Sequence, residues 1–437
     1  MHLVFHSKKQ LLALIIGFNL IGASNMALAA PILTLQAAET MALEDEPEII
    51  SQQWQMESLS AQSIADGQLN DPKMQVALAN MPTDTFDFDQ ENMTQLKVGI
   101  IQQFPSGDTL SIKQAKTQKQ SELFLSKIAD RKLSIIKEVR LTYFEIYYWE
   151  EAKKTIVQNQ RFFSQLVEIV QSMFSVGRNN QQDLIRAQLE LSRLDDRIVK
   201  ITQKINMQRS KLSRWVRDQN STHALSSQLP ELSIPEISDE FETLSQLFYS
   251  HPKIQEIDKQ IDISREDIAL AKEAFKPGWA LNVGYAYRDN KPKEFGGGSR
   301  SDFVSAGVTF DLPMFTANRQ DKKLLSKEHK LQALKDKRVS MLRQLVASLQ
   351  QQQAVEEQLQ NRHQLYINLL MPQAKQQTQA SLLAYQSDRG DFADVMRAYI
   401  DDLNVKLDER RIAVDHLQSK AKILYFTSSF EQNNTGT

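Results

Sequence analysis

The chain has 437 residues, 41% hydrophobic and 24% charged, with 52 Lys and Arg set against 54 Asp and Glu. A formal net charge of −2 excludes the basic footprint of a nucleic-acid binder, and the apolar fraction excludes a disordered chain. With no cysteine, disulfides, thiolate metal centres and an acylated cysteine anchor are excluded too.

In chain order, Lys8 and Lys9 precede an apolar run from Leu11 to Ala23, and Ala27-Leu28-Ala29 follows. This is the pattern of a signal peptide over residues 1–29, cleaved before Ala30, which implies export. No later apolar stretch is long enough for a membrane helix, which needs about 18 residues. A mature protein that meets a bilayer must therefore do so with strands or a surface helix.

A first unit, residues 30–217, starts with helical sequence. Met74, Val76 and Leu78 then alternate, an acidic loop follows (Asp84, Asp87, Asp89, Glu91), and Leu96, Val98 and Ile100 alternate again. The period of two predicts one strand hairpin. From about Thr109 to Ser175 there is neither proline nor glycine, which predicts a single helix of roughly 100 Å at 1.5 Å per residue. A polar turn lies within FSVGRNNQQDLIRA, Phe174 to Ala187. Leu184, Ala187, Leu191, Leu194, Ile198, Ile201, Ile205, Gln208 and Leu212 are then spaced by alternating threes and fours. That is coiled-coil spacing, a narrow apolar seam with polar flanks.

Residues 218–240, with Pro230 and Pro235, read as an equatorial linker. A second unit, 241–426, repeats the order: helix, strands at Ala280–Tyr287 and Phe303–Leu312, a very long helix, a polar turn and another helix. Its last seam is Met396, Ile400, Leu403, Leu407, Arg410, Val414, Leu417, Ala421 and Leu424. Residues 427–437 read as a flexible tail. The units match in detail: Leu43–Ile49 resembles Phe248–Ile254 at an offset of 205, and Val98–Pro105 resembles Ala306–Pro313 at 208. The turn motif returns as YQSDRGDFADVMRA, Tyr385 to Ala398, at 211. The chain thus reads as two copies of one unit, far longer than a solenoid repeat.

Other groupings read as structural. The seven His show no metal-ligand spacing, so no metal site and no cofactor is expected. Asp195-Asp196 and Asp401-Asp402 are adjacent helical positions that point apart, as solvated faces do and catalytic pairs do not. Gly296-Gly297-Gly298 lacks phosphate-loop spacing and reads as an external hairpin loop. Gln350 to Gln353 reads as a polar helix face. Trp279, Tyr285 and Tyr287 fit either an interfacial aromatic girdle or cross-strand packing.

Four strands cannot close a membrane barrel, whose smallest single-chain form has eight. In a bilayer every strand edge must be paired, so several chains must pool their strands. A ring of such chains would continue the barrel into a tube of coiled coils with a wet inner face. That is a duct, and the class is mainly α with a membrane β-barrel.

The residues resemble the TolC-type outer-membrane efflux proteins over essentially the whole mature length. The resemblance lies in Leu35-Gln36-Ala37-Ala38 with Leu43–Ile49, the two Gly-to-Pro strand ends, the two turn motifs, and Pro372-Gln373-Ala374 upstream of Tyr385. Asp71–Pro82 with Met93–Pro105 is similar to the heavy-metal efflux subgroup. The resemblance implies long helical hairpins plus four strands per chain. Three chains would form a twelve-stranded barrel in the outer membrane of a Gram-negative bacterium and a helical periplasmic tunnel. It further implies docking to a periplasmic adaptor (membrane fusion protein) and a proton-driven inner-membrane pump. The duct would be passive, not an enzyme, and would conduct metal cations. Val176, Gly177 and Arg178, with Ser387, Asp388, Arg389 and Gly390, would be the adaptor-docking tips, their glycines suiting a turn with φ > 0. Asp183 and Asp394 would line or lock the aperture, together with Arg186, Arg389 and Arg397. Arg397 stands where the family's second acid is usual, so a lock between Asp394 and Arg397 of adjacent subunits is an alternative to a double acidic ring. Without the resemblance, both acids read first as helix-N-terminal residues favoured by the macrodipole. Alternatives for the whole chain are a duct for drugs or secreted polypeptides, and a periplasmic coiled-coil scaffold or adaptor, which would carry one tip motif and not two.

Overall fold

The computed structural model describes residues 32–177, 180–237, 240–290, 296–387 and 389–434. The signal-peptide reading falls outside the described residues. In order, the elements are β1 (Ile32–Leu33), α1 (Leu35–Leu43), α2 (Pro47–Asp66), β2 (Lys73–Ala79), β3 (Gln95–Phe104), α3 (Thr109–Ser175) and α4 (Gln181–Leu212). Then come α5 (Asp218–Ser221), β4 (Ala224–Leu225), α6 (Phe241–Phe248), α7 (Pro252–Glu273), β5 (Trp279–Tyr287), β6 (Phe303–Phe310), α8 (Gln320–Leu365), a π-turn (Tyr366–Leu370), α9 (Met371–Gln386) and α10 (Phe392–Asn434).

Local chemistry fixes several starts. Thr34 Oγ1 accepts the Ala37 N–H at 3.2 Å and caps α1. Pro47 and Pro252 each open a helix, where a missing N–H costs nothing. His251 Nδ1 accepts the Lys253 N–H at 3.2 Å and caps α7.

Helix α3 is the spine. Along one flank α2 and α4 lie end to end: Ser121 Oγ donates to Met56 O at 2.7 Å, Arg131 pairs with Glu48 at 2.7 Å, and Arg209 pairs with Glu150. Along the other flank α7 and α10 do the same: Lys119 meets Glu266 at 2.5 Å, Tyr425 Oη donates to Asp130 at 2.7 Å, and Arg411 pairs with Glu145 at 2.9 Å. Where α7 and α10 abut, Phe248, His251, Tyr425 and Phe426 pack ring on ring. Beyond them, α8 lies against both α7 and α10. The result is a ribbon of helices with α2 and α4 on one rim and α8 with α9 on the other.

The largest core belongs to the spine: Ile135, Val139, Tyr143, Phe144, Ile146, Ile156 and Phe163 are all buried. Tyr143 Oη donates to Leu33 O at 3.0 Å. Strands β1 and β4 pair in parallel, which ties the chain start to the linker. A second core joins Leu244, Phe248 and Ile254 to Leu342, Leu345, Val346 and Leu349.

The four long strands form one antiparallel sheet in the order β2-β3-β5-β6. Register places Met74 opposite Ile100, Val98 opposite Tyr285, and Tyr285 opposite Val304. One face is therefore Met74, Val76, Leu78, Val98, Ile100, Leu281, Val283, Tyr285, Val304 and Val308, all exposed. The other face carries Gln75, Lys97, Gly99, Asn282, Gly284, Ser305, Gly307 and Thr309.

Three sequence expectations need correction. The second long helix is not continuous: Pro372 lacks an N–H and its ring crowds the carbonyl four residues earlier, and the ladder widens into the π-turn at Tyr366–Leu370. The single seam expected on α10 is too narrow. Arg410 is exposed, whereas Asp402, Glu409, Ile412, Ser419 and Ile423 are buried, because α10 lies between α3 and α8. The tail boundary at 427 falls inside α10, which continues to Asn434.

Candidate functional site

Two features combine surface, charge and position: the paired helical tips and the two-faced sheet. At the first tip α3 ends at Ser175 and Val176 is exposed. Gly177 has φ 75°, with open space where a side chain would be, and its N–H donates to Phe174 O at 3.0 Å. Arg178 lies outside the described residues. Asn180 is the N-cap of α4, and Asp183 sits in the first turn, where the positive end of the helix dipole favours a carboxylate. Arg186 is exposed one turn on, and Ala187 begins the buried seam.

At the second tip Ser387 closes α9, its Oγ donating to Leu383 O at 2.9 Å. Asp388 lies outside the described residues. Arg389 is exposed, and its N–H donates to Ala384 O at 2.8 Å. Gly390 is required for a different reason from Gly177. It does not adopt positive φ; a Cβ there would lie 3.1 Å from Ala384 Cβ and 3.3 Å from Tyr385 N. Close approach of the chain, not handedness, crowds a side chain here.

Asp394 occupies the first turn of α10, and Arg397 Nη1 donates to its Oδ1 at 3.1 Å within the same helix. Within one chain the two form an i, i+3 pair with both side chains exposed. Arg186 and Arg389 form no carboxylate pair among the described residues.

Sequence reasoning missed what aligns the tips. Tyr385 Oη contacts Met173 Sδ at 3.3 Å, its ring lies 5.7 Å from Phe392, and Thr378 Oγ1 donates to Ala398 O at 3.0 Å. Tyr385 was visible in the repeated motif, but its partners across the ribbon were not. Higher up, Arg197 Nη1 donates to Asn404 at 3.2 Å and joins α4 to α10. Arg411 gathers Glu145, Asp415 and the Tyr148 ring. Burial works to lower the Arg411 pKa, but the bonds to Asp415 and Glu145 outweigh it and raise it.

The sheet has the composition that a bilayer and a wet lumen require on opposite sides. Its apolar face ends in aromatic residues at both levels. Trp279 stacks on Phe104 at 4.0 Å beside the helices, and Tyr287 stacks on Phe88 at 6.2 Å at the far end. The other face, which also carries Ile101 and Phe303, is kept small at its centre: a Cβ on Gly99 would lie 3.3 Å from Val283 O, and one on Gly284 3.1 Å from Ser305 Oγ. At the far end Arg300 reaches Glu91 O at 3.3 Å and Asp89 O at 3.5 Å, pinning the acidic loop.

Among the described residues no group of three or more His, Asp or Glu is arranged to hold a metal ion. No described helix is long and apolar enough to cross a membrane, which says nothing of strands.

The fold is a four-stranded sheet with one apolar face, continued by a ribbon of long helices with paired tips. By sequence the chain matches no family model and no curated protein. Its backbone is similar to solved outer-membrane channels. It superposes on the outer membrane protein VceC from Vibrio cholerae with a TM-score of 0.73 at 14% identity, over 90% of this chain and 95% of that one. It also matches CusC, described through its transmembrane channel formation, at 0.72 and 13%, over 96% and 98% of the two chains. The Campylobacter jejuni CmeC outer membrane channel matches at 0.73 and 13%, over 92% and 88%. The chain has the fold of these channels along nearly its full described length.

Proposed function

We propose that this chain is the outer-membrane exit duct of a tripartite efflux system, working as a passive homotrimer. The single observation that carries the reading is that the sheet and the helical ribbon each end in two unpaired edges. Among the described residues, strands β2 and β6 each lack a second strand, and the rims formed by α2 with α4 and by α8 with α9 each lack a further helix. The exposed apolar face requires lipid, and in lipid an unpaired strand edge costs several kcal/mol for each orphaned backbone group. Copies of this chain placed side by side satisfy both sets of edges at once, strand to strand and helix to helix. Their small, polar strand faces then line a wet passage.

The tips, at the end of the ribbon away from the sheet, are where an adaptor docks and where the passage narrows. Val176, Gly177 and Arg178, with Ser387, Asp388 and Gly390, form the docking loops. Asp183 and Asp394, with Arg186, Arg389 and Arg397, set the charge of the aperture. A ring of carboxylates around a narrow axis favours cations, which suits metal cations as cargo and a proton-driven pump as partner. The likeness of Asp71–Pro82 and Met93–Pro105 to the heavy-metal subgroup supports the same cargo.

The test is cross-linking with mass determination on protein extracted from outer membranes in mild detergent, together with planar-bilayer conductance of the same sample. A trimer that conducts is the expected result. A water-soluble monomer without conductance would sink the reading and favour a periplasmic scaffold.

A further inference from the structure

The two junctions between sheet and helices differ. In the first repeat the chain passes from β3 to α3 through Pro105–Asp108, and the Asp108 N–H donates to Glu273 Oε2 at 2.8 Å. In the second, β6 reaches α8 through the longer segment Asp311–Arg319, which exposes Leu312, Met314 and Phe315 at 67%, 74% and 80%. This segment continues the apolar sheet face from Phe310 at the level of the Trp279–Phe104 stack.

Next to its end at Asn318 and Arg319, a groove of about 710 Å³ runs between α7 and the start of α8. Its floor is Leu270, Ala271 and Ala274, and Arg319, Lys322 and Lys323 stand on its rim. Asp267 in the groove is already neutralised by Lys116 at 2.8 Å and Lys327 at 3.3 Å. Asp321 accepts from Thr316 Oγ1 at 3.4 Å. Among the described residues no carboxylate lies within ion-pair distance of Arg319, Lys322 or Lys323. The groove adjoins the apolar segment through Arg319, whose Nε donates to Phe315 O at 3.4 Å while its charge keeps no carboxylate partner among the described residues.

We infer that this groove is a binding site for an anionic glycerophospholipid of the periplasmic leaflet, with the headgroup phosphate on Arg319, Lys322 and Lys323 and the acyl chains along Leu312, Met314 and Phe315. The inference rests on the membrane reading above, since only that reading brings lipid to this level. The chemistry selects the ligand. Basic side chains at a membrane surface attract anionic headgroups, while the floor and the apolar segment accept hydrocarbon. A soluble phosphate would use the cations but leave the apolar surface wet.

The experiment is native mass spectrometry of the delipidated full-length protein in mild detergent, titrated with phosphatidylglycerol or with phosphatidylcholine of the same acyl chains. Several-fold greater retention of phosphatidylglycerol is expected. The R319Q/K322Q/K323Q variant should fall to the phosphatidylcholine level, and L312S/M314S/F315S should lose retention of both lipids. A control at K330Q/K335Q, further along α8, should keep the preference. Equal retention of the two lipids, or unchanged retention by R319Q/K322Q/K323Q, would overturn the inference. Displacement by inorganic phosphate would assign the cations to a free anion, and loss of the oligomer in R319Q/K322Q/K323Q would assign the groove to a neighbouring copy; either also overturns it. A conducting trimer without lipid preference refutes this site alone, whereas a soluble monomer refutes the duct reading beneath it.

Discussion

Gly177 and Gly390 each lie in one of the two tip motifs, two places apart in register, and each is glycine for its own reason. At φ 75° in open space, Gly177→Ala should cost about 1 kcal/mol of left-handed strain without a clash. Faster hydrogen exchange confined to the α3–α4 tip would show it. Asp394, held by Arg397 on its own helix, is free of any need for a neighbour to neutralise it. We expect Asp394→Ala to raise single-channel conductance and weaken cation preference in planar bilayers; no change in either would remove the residue from the aperture. His251 makes a pH prediction. Burial depresses its pKa from 6.5 to about 4, partly opposed by Asp130. In the unfolded chain it takes a proton near its ordinary value. Between those values the unfolded state binds more protons, so stability is full above about pH 6.5 and falls as pH drops toward 4. His251→Asn keeps an N-cap acceptor but does not titrate, so its Tm should depend less on pH over that window.

At the scale of elements, the spine and its flanking helices carry the stability. Phe144, buried at the centre of α3, should cost roughly 3–5 kcal/mol when changed to Ala, read as a lower unfolding midpoint in denaturant. The π-turn before Pro372 makes a sharper test, because it sets the phase of α9 against α10. Deleting Asn368 removes the extra residue and turns α9 by about 100°, which should break the Thr378 bond to Ala398 O and misalign the second tip. The expected result is weaker adaptor cross-linking at an unchanged oligomer mass. The halves of the chain differ here in a way that hydrophobic spacing did not reveal. Helix α4 lies on a rim and buries one seam, as its threes and fours indicate. Helix α10 has a near-identical spacing but is packed on two sides, so polar Asp402, Glu409 and Ser419 are buried beside it. Neighbours, not periodicity, decide how much of a helix is covered.

At the scale of the whole molecule, the chain leaves strand and helix edges open among the described residues, and the homotrimer we propose would close a barrel and a tunnel together. The sequence by itself determined the four long strands, most of the long helices and their order, but not the short β1 and β4 or the π-turn that divides the second long helix. Alternation marked the four strands, the Pro- and Gly-free run marked α3 to its ends, and the turn motifs marked both tips. These are local or periodic signals, set by backbone geometry and by which face of a strand or helix is apolar. The tertiary structure decided what depends on distant residues meeting. It placed α2 and α4, and likewise α7 and α10, end to end along one spine. It joined Tyr385 to Met173, turned Arg397 toward Asp394 within one helix, and set three unpaired cations beside an apolar groove. None of these follows from spacing along the chain, because packing brings together residues that may lie more than two hundred positions apart, as Met173 and Tyr385 do.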